Sequence, residues 1–265
     1  MKYLTTKIDD DHAYILCIGD VHIGDPSFEK SLYGQKSGRS KLEGYLKWAK
    51  EHPNTRIFLN GDIFNVGGRN EKTSPFETDN AEYEKAVDIF KPYASQIIGA
   101  VDGNHEARII DEFGYSPLAP FCHELKIPYC KWSAVVRLQV GKRKGKNAGN
   151  RYEQNYFLYF HHTTGGGGAL GNKINRVEKL RDIVEGIDVY FGSHNHQLIS
   201  APIEVFYPSI QGGIRKRRIL FVDSGSFVSW GENYAEEKMY PPTKTGAPRV
   251  RFSGVKDKHD VFVSI

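Results

Sequence analysis

The chain has 265 residues, 39% of them hydrophobic and 26% charged. That balance excludes a globally disordered polymer and predicts a core of ordinary size. The formal net charge of +4 admits an anionic ligand without requiring nucleic acid, and no apolar run approaches the roughly 20 residues that cross a bilayer.

The opening, MKYLTTKIDDDHAYILCIGD, turns acidic before its apolar run and lacks the order and cleavage site of a secretory signal. It reads as a short lead-in before a first core strand over 14–19. Cys17, Cys122 and Cys130 are odd in number and show no CxxC spacing, so reduced thiols and a cytoplasmic location are expected, with Cys17 filling the core. Residues 40–51 (SKLEGYLKWAKE) place Leu42, Tyr45, Leu46 and Ala49 on one helical face, with Ser40 as the expected cap. A strand over 56–59, a helix over 77–94 and a strand over 96–101 follow. This alternation predicts βαβ units and a mostly parallel sheet.

Strands over 133–140 and 155–160 flank the basic turn GKRKGKNAGNRYEQ and predict a hairpin. A helix over 175–185 and a strand over 188–191 come next. Strand-like pieces at 203–207, 218–222, 249–252 and 260–265 complete the chain. With no internal repeat and no long linker, residues 1–265 read as one α/β domain with two packed sheets.

Residues of metal-binding type recur at the strand ends. The first strand runs into Asp20-Val21-His22, the second into Gly61-Asp62, and the third into Gly103-Asn104-His105-Glu106. The strand after the basic turn ends in His161-His162, and the next in Ser193-His194-Asn195-His196. Ligand sites in open α/β sheets lie beyond the carboxyl ends of the strands, so five such ends imply one shared site. Mixed imidazole and carboxylate suit manganese, zinc or iron, whereas magnesium or calcium would draw an almost all-oxygen set.

The ordered blocks GDVH, NGD, GNHE, HH and HNH resemble those of the calcineurin-like metallophosphoesterase superfamily, over nearly the whole chain. The resemblance implies a four-layer αββα sandwich, two mixed sheets flanked by helices, with a dinuclear site at the strand ends. It implies one divalent metal held by Asp20, His22 and His196, a second held by Asn104, His162 and His194, and Asp62 bridging them. His105 matches the family's non-ligand histidine beside the scissile phosphate, here the candidate catalytic residue. His162 rather than His161 matches the ligand because a small residue follows it. Two departures stand out: Ser193 directly precedes His194 where the family commonly has glycine, and Ile63-Phe64-Asn65 replaces the Asp-Arg-Gly of protein Ser/Thr phosphatases. A bacterial or phage-type member outside the protein phosphatase branch is the expectation.

The implied activity is hydrolysis of a phosphate ester by a metal-bridging water, with two divalent ions, expected to be manganese. A phosphodiesterase acting on nucleic acid or a nucleotide is the first reading. A phosphomonoesterase on a small substrate is the alternative, and a non-catalytic scaffold on the same fold is third. No membrane partner is expected, and the location would be the host cytoplasm if the chain is phage-encoded. Two basic clusters bear on the substrate: Lys142, Arg143, Lys144 and Lys146, and Arg215, Lys216, Arg217 and Arg218. Each can follow a phosphate backbone or be a solvated hairpin turn. The run TTGGGGALGNKINRVEKL lacks the Gly-Lys-Ser/Thr ending of a nucleotide-binding P-loop and reads as a flexible loop beside the substrate.

Overall fold

A computed structural model describes residues 1–31, 33–66, 81–141, 153–165, 169–210, 212–231, 236, 241–255 and 258–265. In chain order its elements are β1 (Lys2–Ile8), β2 (His12–Ile18), α1 (Pro26–Glu29), α2 (Gly38–Glu51), β3 (Thr55–Asn60), α3 (Ala81–Phe90) and β4 (Ile97–Val101). Then come α4 (Asn104–Phe113), α5 (Leu118–Leu125), β5 (Ser133–Val140), β6 (Gln154–His161), α6 (Leu170–Glu178) and β7 (Val189–Gly192). The chain ends with β8 (Leu198–Pro208), β9 (Ile214–Ser224), β10 (Arg249–Ser253) and β11 (Val261–Ser264).

Two mixed sheets pack face to face. One has the order β1-β5-β6-β7-β9-β8 and the other β11-β10-β2-β3-β4. The expected parallel pairing holds for β2, β3 and β4. Antiparallel β10 and β11 extend that sheet, and β5 with β6 forms the expected antiparallel pair.

Strand alternation builds the layers. In β2, Ile15 and Cys17 face the inner core, while Leu16 and Ile18 face the helices. In β3, Phe58 points inward and stacks on Phe160 of β6 at 3.8 Å, while Ile57 and Leu59 point outward. On that outer face sit Leu42 and Leu46 of α2, Phe90 of α3 and Phe121 of α5. On the far face of the other sheet, Tyr159, Tyr190 and Phe221 pack on Val177 of α6. The result is helix, sheet, sheet, helix, as the resemblance implies. No helix among the described residues is long and apolar enough to cross a membrane.

Several expectations change. The lead-in is a strand: Lys2 to Ile8 pair in parallel with Ala134 to Val140. Its Lys and Thr positions face solvent at a sheet edge, so it lacks the apolar signature of the central strands. Ser37, not Ser40, caps α2, its hydroxyl accepting from the Ser40 N–H at 3.2 Å. The helix expected over 77–94 runs over Ala81–Phe90 before a 3₁₀ turn, and its first four expected residues lie outside the described set. The helix expected over 175–185 begins earlier, at Leu170, and α4 and α5 were not anticipated. All three cysteines are buried and unpaired.

Candidate metal centre

The motif residues leave the strands through strained turns. Asp20, His22, Asp62, His194 and His196 hold φ of 49°, 52°, 52°, 75° and 51°. Each such left-handed non-glycine residue costs about 1–3 kcal/mol and persists only where its surroundings fix it. Here backbone bonds stitch the loops together. The Asp62 carbonyl accepts from the N–H groups of Val21 and His22, at 2.8 and 3.0 Å, and Asp20 donates its N–H to Gly61 at 3.0 Å. Glycine is required beside Asp62, because a Cβ on Gly103 would lie 2.1 Å from Asp62 Oδ1.

Second contacts decide which atom of each side chain faces inward. Asp62 Oδ1 accepts from the His105 N–H at 2.8 Å, leaving Oδ2 toward the histidines. Asp20 Oδ2 accepts from the His194 N–H at 2.8 Å, leaving Oδ1 buried without a hydrogen-bond partner. A carbonyl can only accept, so the 2.8 Å contact to Asn60 O fixes the proton of His162 on Nδ1. By the same argument the 2.9 Å contact to Gly165 O fixes the proton of His194 on Nε2. Such outer contacts set the tautomer of metal-ligating histidines.

Atoms of metal-ligating type therefore crowd together. Asn104 Oδ1 lies 3.1 Å from His162 Nε2 and 2.6 Å from His194 Nδ1. Asp62 Oδ2 lies 3.2 Å from His162 Nε2 and 3.8 Å from His22 Nε2. On the other side His22 Nε2 and His196 Nε2 are 3.1 Å apart, with Asp20 Oδ1 3.4 Å from His196. A buried cluster with two carboxylates attracts positive charge, and separations near 3 Å are those that bonds of about 2.0–2.2 Å produce around one ion. The donor set thus fits two divalent metals: Asp20, His22 and His196 draw together, as do Asp62, His162 and His194.

The electrostatics agree. Burial alone would lower His162, yet Asp62 and then Asp20 outweigh it and push the imidazole up to about 10. Burial works against ionised Asp62, but His162 holds its carboxyl well below the usual range. The pocket field attracts positive charge, whether proton or metal. Burial pushes His22 down. His105 is pushed down by burial to about 4, so its neutral form faces the site. Its ring lies edge-on to His22 at 4.5 Å, and its Nδ1 is buried without a hydrogen-bond partner. His161 turns away, its Nδ1 accepting from the Thr163 N–H at 2.8 Å.

Some supporting residues carried no such role in the sequence. Glu106 accepts four backbone N–H groups: Asp62 and Gly103 on Oε2 at 2.9 and 2.8 Å, Ile63 and Phe64 on Oε1 at 2.8 and 3.1 Å. It clamps two motif loops together. Burial and then Asp62 push it up to about 7, against those four donors. Ser193, where glycine is usual, accepts from Asn60 Nδ2 at 2.6 Å and from the Ser224 hydroxyl at 2.8 Å, and it needs no positive φ. Buried Asp223 accepts from Asn195 Nδ2 at 2.5 Å. Membership of the GNHE block was the signal for Glu106, and Asp223 had none.

Residues 142–146, and Gly166 to Gly168 of the glycine run, lie outside the described residues. On β9, Lys216 and Arg218 share a strand face and lie 2.6 and 3.7 Å from Glu204 of β8, while Arg217 alternates to the other face.

A family model described as calcineurin-like phosphoesterase matches residues 13–198. Among curated proteins, none matches the sequence. Similar solved structures include the calcineurin-like phosphoesterase YfkN from Bacillus subtilis, 14% identical over 96% of this chain and 88% of that one, TM-score 0.43. A putative 5'-nucleotidase from Staphylococcus aureus is 13% identical, covering 96% of this chain and 53% of that one, TM-score 0.49. The NAD nucleotidase of Haemophilus influenzae is 13% identical, covering 96% and 49%, TM-score 0.42. The chain spans about half the length of the latter two. With the family match covering well over half of its residues, this chain belongs to the calcineurin-like phosphoesterases.

Proposed function

We propose that this chain is a metal-dependent phosphodiesterase acting on nucleic acid or a nucleotide. In this reading Asp20, His22 and His196 hold one divalent ion, Asn104, His162 and His194 hold the other, and Asp62 bridges them. The observation that carries it is the convergence of Asp20 Oδ1, Asp62 Oδ2, Asn104 Oδ1 and ring nitrogens of His22, His162, His194 and His196. Manganese is the preferred metal, since the set mixes imidazole with oxygen. When bound, such a pair of ions supplies Lewis acidity and lowers the pKa of water toward neutrality.

The chain's own residues do the rest. Asp62 offsets charge at the centre of the cluster, and Glu106 holds its loop in place. His105, whose Nε2 lies 3.9 Å from Asp62 Oδ2 at the edge of the cluster, would hydrogen-bond the leaving oxygen. The absence of Asp-Arg-Gly after Asp62 supports a reading outside the protein phosphatase branch. One domain over 1–265 is supported by β10 returning to pair with β2. Three buried unpaired thiols support a reducing compartment, the cytoplasm.

A second reading, phosphomonoesterase on a small substrate, is favoured by Lys216 and Arg218 pairing with Glu204 instead of standing ready for a phosphate backbone. Hydrolysis of bis(4-nitrophenyl) phosphate against 4-nitrophenyl phosphate, with manganese and with chelator, separates the two. Faster turnover of the diester, lost in chelator, supports the first reading. Preference for the monoester selects the second, and metal-independent turnover defeats both.

A further inference from the structure

The metal centre proposed above needs the His194 lone pair on Nδ1, and that depends on what holds its Nε2–H. The acceptor is the Gly165 carbonyl, on an exposed stretch where Gly165 itself has φ +98°. Among the described residues, that carbonyl receives one other hydrogen bond, from Nη1 of Arg176 on α6. The same Nη1 donates to Asn195 Oδ1 at 2.8 Å, and Asn195 stands between His194 and His196. Asn195 is tied in turn to Asp223 through Nδ2, and its carbonyl accepts from Lys173 Nζ at 3.1 Å. Helix α6 thus grips the His194-Asn195-His196 turn from outside at two points.

From this arrangement we infer that Arg176 is a positioning residue, which holds the Gly165 carbonyl against His194 Nε2 so that Nδ1 stays turned toward Asn104 and the second metal. The inference rests on the metal reading above. An exposed carbonyl without this cation would exchange its partners with water, and His194 would sample the tautomer whose Nδ1 carries a proton and cannot ligate. Charge makes the hold firm, because hydrogen bonds from guanidinium are stronger than neutral ones. Asp62 and His162 reach the same metal without this support, so the loss should fall on one site.

The test uses Arg176→Ala and Arg176→Lys in the full chain. Calorimetric titration of manganese into metal-free protein should show one site weakened about tenfold in the alanine variant, with the other unchanged, and part of the loss recovered by lysine. Side-chain ¹⁵N spectra of the metal-free protein should show His194 as the Nε2–H tautomer in the wild type and as a mixture in Arg176→Ala. Unchanged affinities and an unchanged tautomer overturn the inference. So does a raised KM for a phosphate ester with metal binding intact, which makes Arg176 a substrate contact. If the wild type takes up no metal, the metal reading fails, while the tautomer still reports on the Arg176 hold.

Discussion

The metal-side turns and the β8–β9 hairpin treat charged residues in opposite ways. The turns bring Asp20, Asp62, Asn104, His162, His194 and His196, scattered over 177 positions, to within a few ångströms of one another. The hairpin takes Arg215 to Arg218, adjacent in sequence, and distributes them over two faces of one strand. One set is buried or half-buried, with Asp20, Asp62, His194 and His196 in left-handed backbone. The other is largely exposed, with Lys216 and Arg218 beside Glu204, and with Phe206 and Ile214 75% and 70% exposed nearby. Spacing along the chain is a poor guide to a shared site: alternation separates neighbours, and parallel strands that end at one edge unite distant residues.

The strongest test removes the residue at the centre of the convergent set. Asp62→Asn should lower activity by at least about 10⁴-fold and reduce bound metal with it, because catalytic groups acting as a unit fail together. Elemental analysis alongside kinetics checks this, and near-normal metal content would place Asp62 outside the metal centre. His105→Ala should leave metal content near that of the wild type while lowering turnover by about 10²–10⁴-fold on a poor leaving group and less on an activated nitrophenolate. Equal losses on both substrates would assign His105 to stabilising transition-state charge instead.

Glu106 tests the scaffold rather than the chemistry. Glu106→Gln turns an NH₂ group toward two backbone N–H donors and should cost about 2–4 kcal/mol in urea denaturation, since a buried unsatisfied donor costs about 1–3 kcal/mol. A loss under 1 kcal/mol would show that the two loops hold without their clamp. Chelation should lower the melting temperature by about 5–10 °C relative to protein at 100-fold its manganese dissociation constant, which is about 2.7 kcal/mol of linkage. The smallest effect belongs to the hairpin. Replacing Lys216 and Arg218 by Ser should change the salt dependence of DNA binding by less than about one unit of log–log slope, because a true phosphate contact contributes about 0.9. A larger change would return the hairpin to a backbone-binding role.

The central strands were legible because most of their positions are apolar and buried: the expected 133–140 coincides with β5, and the expected 56–59 lies within β3. β1 was not, since its exposed Lys and Thr positions reflect a sheet edge whose partner, β5, lies over a hundred residues away. The α2 cap lies three residues before the expected one because Ser37 and Ser40 have the same capping chemistry, and only the backbone decides which hydroxyl accepts. The helix α4, opening at Asn104, was hidden inside the GNHE block.

By itself the sequence determined which chemical groups are available, in what order and after which strands, because side-chain chemistry and strand periodicity are local properties. The tertiary structure decided which atom of each group turns inward. Asn60 and Gly165 carbonyls choose the lone pairs of His162 and His194, and the N–H groups of His105 and His194 choose the free oxygens of Asp62 and Asp20. It also recruited Glu106, Asp223 and Arg176. Those choices depend on hydrogen bonds between residues mostly tens to more than a hundred positions apart, and such contacts exist only once two sheets and their crossing loops have packed.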